Sequence, residues 1–179
     1  TVEMAVGFSG ADGGIILTAS HNPANWNALK LLNSKGEFLS ADDGRQLLDY
    51  AEAAVFTYAD VASLGTMVEQ DFLDAHIGAI LALPEVDRDI IRRKKYKIIV
   101  DPVNSVGAIA IPALLKVLGV DDVIVINNSV DGHFAHNPEP LPEHLTAICE
   151  RVVQEKADLG IVVDPDVDRL ALVNHDGTL

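Results

Sequence analysis

The chain has 179 residues, 49% of them hydrophobic, and a formal net charge of −14. That much apolar content excludes a disordered chain and supplies a core, and the charge argues against a phosphate-backbone partner such as nucleic acid, which needs a basic face. No apolar run reaches the ~18–20 residues that span a bilayer, so no membrane partner is expected.

Thr1-Val2-Glu3-Met4 lacks the basic start and apolar block of a signal peptide. The single cysteine, Cys149, forms no disulfide framework, and a reducing, cytoplasmic setting fits. The missing initiator Met and the stop at Leu179 suggest a piece of a longer polypeptide.

In chain order, Thr1 to Ser9 reads as a short helix capped by Thr1, with Val2, Val6 and Phe8 inward. Gly14 to Ala19 is a near-continuous apolar strand, as in a sheet covered on both faces. It delivers Ser20, His21 and Asn22 into a loop stopped by Pro23, a place where chemistry concentrates. Ala28 to Asn33 is a second strand, which Ser34-Lys35-Gly36 turns back into a third at Glu37-Phe38-Leu39. Ala41 to Ala54 is a helix with Asp42 and Asp43 in its first turn. Thr57 to Val68 is weakly patterned and links two domains, residues 1–68 and 69–179.

Gln70 to Leu83 is helical and ends at Pro84, and Glu85 to Arg93 is a further helical segment. The basic run Arg92 to Lys95 is a solvated helix end. From Tyr96 onward, strands and helices alternate. Strands are expected at Lys97–Asp101, Val123–Ile126, Leu159–Val163 and Leu170–Val173, and helices at Val106–Leu118 and Pro142–Lys156. That alternation argues an α/β layer with a largely parallel sheet.

Two stretches carry chemistry, and the first, Ile15 to Lys30, holds the serine loop. The second, Leu159 to Arg169, runs a buried strand into Asp164, Asp166 and Asp168. In open α/β sheets the carboxyl rim of the strands is where ligands bind. Three alternating carboxylates repel one another unless a cation neutralises them, and hard oxygen donors suit Mg²⁺ or Ca²⁺. Arg169 alone could instead neutralise a salt-bridged acidic turn. An EF-hand is excluded, because its sixth position holds Arg169 instead of Gly and its twelfth holds His175 instead of Glu. The hydrophobic run before D-x-D (Asp164 to Asp166) is also similar to the first motif of haloacid-dehalogenase phosphatases, with Asp164 as nucleophile and Asp166 as acid/base.

Ser20 could be a helix cap, a triad nucleophile or a phosphorylated serine. Neighbouring Ser20 and His21 side chains diverge along an extended chain, and no G-x-S-x-G elbow is present. A phosphate on Ser20 would add acceptor oxygens to a metal held by the three aspartates. The expectation is that serine and aspartates share one cation across a cleft between two lobes. Lys30 alternates with Leu29 and Leu31, as a solvent-facing strand lysine does. Trp26 reads as a loop anchor packed on its domain, His133 and His136 as loop histidines bonded to backbone, and Ser105 as a helix N-cap.

T-A-S-H-N-P (Thr18 to Pro23), N-x-x-K (Asn27 to Lys30), D-P-V-N-S-V-G-A (Asp101 to Ala108), F-A-H-N-P-E-P (Phe134 to Pro140) and D-P-D-V-D-R (Asp164 to Arg169) together resemble the α-D-phosphohexomutases. Asn27-Ala28 stands where that family usually has Asn-Gly, and the Phe134 loop is one residue shorter. The resemblance implies two consecutive α/β/α layered domains with mixed, largely parallel sheets, the first incomplete. It implies interconversion of hexose 6-phosphate and hexose 1-phosphate through a phosphoserine and a hexose bisphosphate.

By the same resemblance Ser20, His21, Lys30 and Arg169 are catalytic, and Ser20, Asp164, Asp166 and Asp168 hold Mg²⁺. The partner is a phosphosugar. The family's third and fourth domains have no counterpart here, so this stretch is expected to be inactive alone. A metal-dependent phosphatase using Asp164, or a non-catalytic metal-binding domain, are the competing readings.

Overall fold

The computed structural model describes every residue except Ala24. The chain divides into two compact units. One comprises residues 1–17 and 29–76, the other residues 18–28 and 77–179.

The first unit carries helix α1 (Val2–Ser9), most of strand β1 (Gly14–Thr18), most of strand β2 (Ala28–Leu32) and helix α2 (Ala41–Ala53). Val6 and Leu32 are its buried apolar pair, and both meet the position where a Gly14 side chain would stand. Ser40 caps α2 reciprocally with Asp43: Asp43 N–H donates to Ser40 Oγ, and Ser40 N–H to Asp43 Oδ2. Such a box supports the helix even though no α2 residue is buried.

Several expectations fail here. Thr1 precedes α1, but its hydroxyl bonds His76 Nδ1 at 2.9 Å instead of capping the helix. Phe8 is half exposed and stacks on Phe72, and Val2 is also exposed. Among the described residues β1 pairs only with β2, and Ile15 and Leu17 alternate outward at 60% and 76% exposure. An apolar run is covered on both faces only where partners supply the cover, and this two-stranded sheet leaves alternate side chains open. The third strand reduces to one bridge, Leu32 to Phe38.

The helix expected from Gln70 is α3 (Leu73–Leu81), and the one after Pro84 is α4 (Arg88–Lys94), whose last turn holds Arg92, Arg93 and Lys94. The N-cap of α4 is Asp87, whose carboxylate accepts Ile90 N–H.

The second unit is built on a four-stranded sheet in the order β4–β3–β5–β6, with β3 (Lys97–Asp101), β4 (Asp122–Val125), β5 (Leu159–Val163) and β6 (Leu170–Asn174). β3 pairs parallel with β4 and β5, and β5 pairs antiparallel with β6. Helix α5 (Gly107–Leu118) and helix α6 (Thr146–Glu155) supply the two outer layers. On one face Ile98 and Val100 bury with Leu115 and Val120. On the other Ile99, Val162 and Val173 bury with Ile148 and Val152. Alternate β3 side chains thus enter different cores, which is why the strand is apolar without a polar face.

α5 ends at Gly119 in the left-handed conformation, with φ 88°. Ser105 is not its cap: Val106 is, and Ser105 Oγ donates to Pro102 O at 2.7 Å. The helix expected from Pro142 splits into a 3₁₀ turn, Pro142–His144, and α6. Cys149 is partly buried against the α6-side core, and burial pushes its thiol pKa up.

Gly160, on β5, lies under the α6 side chains Val152 and Ile148. A Cβ there would stand 2.9 Å from both Val152 Cγ2 and Val173 Cβ. Gly160→Ala is therefore expected to destabilise by ~1–3 kcal/mol, read as a lower urea midpoint with unchanged slope.

A candidate metal and phosphoryl-transfer site

β5 is buried or half-buried along its length, and its continuation carries Asp164 out of the sheet with 0% exposure. The following turn folds back on that carboxylate. The backbone N–H groups of Asp168 and Arg169 both donate to Asp164 Oδ1 at 3.0 Å, and Val167 N–H donates to Asp164 O at 3.0 Å. Val167 takes φ 63° to close the turn.

The same turn collects the other two acids. One carboxylate oxygen from each of Asp164, Asp166 and Asp168 lies within 4.8 Å of the others. Burial raises the Asp164 pKa, and the charges of Asp166 and Asp168 raise it further, against the lowering effect of the Arg169 N–H. Concentrated hard oxygen donors that repel one another fit a divalent cation.

The serine loop comes to the same place. Thr18 Oγ1 donates to Asp166 Oδ2 at 3.1 Å and accepts Ser20 N–H at 2.8 Å. Ser20 Oγ donates to Asp164 Oδ2 at 3.3 Å. Residues 18–28 belong to the second unit, so hydroxyl and carboxylates meet inside one compact body. Asn22 Nδ2 ties the loop to Ala19 O at 3.0 Å.

Ser20 adopts φ 50°, a left-handed conformation that a non-glycine residue holds at a cost of ~1–3 kcal/mol. That bend has a consequence that extended geometry does not allow: His21 Nδ1 lies 3.3 Å from Ser20 Oγ. The expected divergence of the two side chains fails for this reason.

Arg169 points its guanidinium at Glu139, Nη1 to Oε1 at 2.7 Å, so the local cation is held by an acid outside the aspartate turn. Lys30 lies on β2, half-buried, in the first unit. Trp26 is 61% exposed and is no packing anchor. Thr18 and Glu139 are the two residues at the site that sequence reasoning did not single out. Thr18 opens the T-A-S-H-N-P motif, and Glu139 lies in the F-A-H-N-P-E-P motif, so the only available signal was their place in those motifs.

Profiles of known families match both units' sequence. The one described as phosphoglucomutase/phosphomannomutase, alpha/beta/alpha domain II, covers residues 74–177, and that for alpha/beta/alpha domain I covers residues 1–57. A three-layer α/β body with a serine loop and an acidic turn at one sheet rim is thus placed in a class: this chain belongs to the phosphoglucomutase/phosphomannomutase family.

Among relatives, it is 34% identical to a phosphoglucosamine/phosphogalactosamine mutase of Sulfurisphaera tokodaii, over 98% of this chain and 39% of the relative. It is 33% identical to a phosphoglucomutase/phosphomannomutase of Thermococcus kodakarensis, over 98% of this chain and 38% of the relative. The crystal structure of a putative phosphomannomutase from Thermus thermophilus superposes with a TM-score of 0.81 at 26% identity, over 99% of this chain and 40% of that one. The chain therefore spans about two fifths of the length of these relatives. Among the described residues no helix is long and apolar enough to cross a membrane.

Thr18 is the hinge of the loop's placement. Thr18→Val removes both of its hydrogen bonds while keeping the shape. It should speed exchange of the Ser20 amide and lower stability by roughly 1–2 kcal/mol, measured by hydrogen exchange and urea melts of the same samples.

Proposed function

We propose that this chain is the phosphoserine- and metal-bearing part of a phosphohexomutase, an intramolecular phosphotransferase that interconverts hexose 6-phosphate and hexose 1-phosphate. Residues 1–68 are read as the latter part of its first domain and 69–179 as its second. The observation that carries the reading is the 3.3 Å contact between Ser20 Oγ and the buried Asp164, with two further carboxylates at hand.

In this reading Ser20 Oγ carries a phosphoryl group. A sugar hydroxyl attacks phosphorus, the P–Oγ bond breaks as the new P–O bond forms, and a bisphosphorylated sugar results. After the sugar reorients, its other phosphate returns to Ser20. Phosphoryl transfer asks the protein mainly for alignment and for charge on the equatorial oxygens.

Lys30 takes the hydroxyl proton as general base and returns it as general acid. His21 orients the serine oxygen. Arg169 can fork onto a phosphate oxygen, its direction set by Glu139. Asp164, Asp166, Asp168 and the Ser20 oxygen would hold Mg²⁺, which when bound neutralises charge on the phosphoryl oxygens. The names of the relatives support a substrate among phosphorylated hexoses and hexosamines. The two-fifths coverage of those relatives supports the expectation that the 179 residues do not turn over alone.

The phosphatase alternative is less well supported. Asp164 is fully buried and receives two backbone N–H groups and the Ser20 hydroxyl, which leaves it poorly placed to attack.

In the full-length protein, peptide mapping should find one added phosphate on the Ser20 peptide, and Ser20→Ala should abolish conversion between the two hexose phosphates. A label on Asp164 with Ser20→Ala harmless would establish the phosphatase reading instead. Arg169→Ala should lower turnover by ~10²-fold or more. Mg²⁺ added to the 179-residue chain should raise its melting temperature, by the equivalent of ~2.7 kcal/mol at a hundredfold excess over Kd. Asp166→Asn should remove that rise.

A further inference from the structure

A second buried acid stands at the sheet rim. Asp101, the last residue of β3, is 1% exposed and lies opposite Val162 in the register, two residues before Asp164. Its carboxylate accepts Val103 N–H at 3.0 Å, Asn127 Nδ2 at 3.0 and 3.1 Å, and His136 Nε2 at 3.1 Å.

The other nitrogen of His136, Nδ1, lies 2.8 Å from Asn137 O. A carboxylate and a carbonyl can only accept. A neutral imidazole has one N–H to give and could satisfy one of them, so both contacts together require the doubly protonated ring.

The segment beyond His136 leads to the proposed site. Asn137 Oδ1 accepts Glu139 N–H at 3.1 Å, Glu139 O lies 2.9 Å from His144 Nδ1, and Glu139 Oε1 takes the Arg169 guanidinium. Arg169 N–H in turn donates to Asp164. Upstream, Asn104 fixes the same loop by donating to His133 O and accepting Ser129 N–H.

We propose that His136 is a positioning residue for Arg169: held as an imidazolium between the Asp101 carboxylate and the Asn137 carbonyl, it fixes the turn that presents Glu139 to the guanidinium. The inference rests on the phosphoryl-transfer reading only for what Arg169 does, and the geometry stands without it. Protonation of one half-buried ring thereby sets where the cation beside the aspartate turn points.

The charged and titratable groups of this strand end and loop are Asp101 at the end of β3, Asp131 and His133, which pair with each other in the preceding turn, and Glu139 and Arg169, which pair with each other beyond it. Of these, Asp101 is the one within hydrogen-bond reach of the imidazole. That bond raises the His136 pKa, with the Asn137 carbonyl adding to it and burial opposing. A raised imidazole pKa stabilises the fold fully below the ordinary value of about 6.5. The contribution is lost as pH rises through the raised value.

Nitrogen-detected NMR of the 179-residue chain tests this. At pH 7 His136 should carry protons on both ring nitrogens, and Asp101→Asn should remove its raised titration. The Arg169 Nη–H signals, slowed by Glu139, should broaden as pH rises through the His136 transition. They should be broad at every pH in His136→Ala and in Glu139→Gln.

A single neutral tautomer at pH 7 overturns the proposal, as do Arg169 signals that ignore both the His136 titration and His136→Ala. If a variant does not fold, the titration of the unaltered chain decides alone. A Ser20 that is never phosphorylated would sink the mutase reading and leave these outcomes unchanged.

Discussion

Everything at the candidate site depends on one electrostatic problem: a carboxylate buried at the end of β5 with two more acids folded beside it. Asp164 is excluded from solvent, and Asp166 and Asp168 add like charge. A buried charge must be compensated. The protein's own compensation is three donors, the N–H groups of Asp168 and Arg169 and the hydroxyl of Ser20. These orient Asp164, and the Thr18 hydroxyl donates to Asp166. The three clustered carboxylates also form a donor set that fits a divalent cation.

That constraint explains local oddities that would otherwise be unrelated. Val167 and Ser20 both sit at positive φ, and each bend brings its chain onto Asp164. Thr18 uses both faces of its hydroxyl, one on Asp166 and one on the Ser20 amide. Arg169 is adjacent to the acids in sequence yet sends its side chain to Glu139. The rim therefore has two linked anchors. Asp164 organises the serine loop and its own turn, and Asp101 organises the loop that carries His136 and Glu139. The strands beneath them, β5 and β3, are hydrogen-bonded neighbours, so the two carboxylates are held in fixed register by the sheet.

Much of the second unit was legible from residues alone. The strands Lys97–Asp101 and Leu159–Val163 agree with expectation to the residue, because each holds three consecutive β-branched residues, Ile98 to Val100 and Ile161 to Val163. α5 and its Gly119 stop are likewise local. The first unit was read less well. Its strand pattern promised a covered sheet, and an apolar run looks the same whether or not a neighbour is there to cover it. Ser105 and Thr1 have the residue types of caps, yet their hydroxyls bond Pro102 O and His76. A cap depends on one side-chain rotation, which composition does not encode.

By itself the chain of residues determined which groups could do chemistry: one serine loop, one triple-aspartate turn, a flanking arginine and a lysine on a strand. Motif order and residue type carry that information without geometry. Only the tertiary structure decided that Ser20 Oγ stands 3.3 Å from Asp164, that His21 bends back onto the serine, and that His136 bridges Asp101 to the loop of Glu139. Those contacts, the longest of them between residues 144 positions apart, follow from strand order and from left-handed backbone bends. Neither is a property of any short stretch of sequence, because both arise from how buried carboxylates at neighbouring strand ends find their donors.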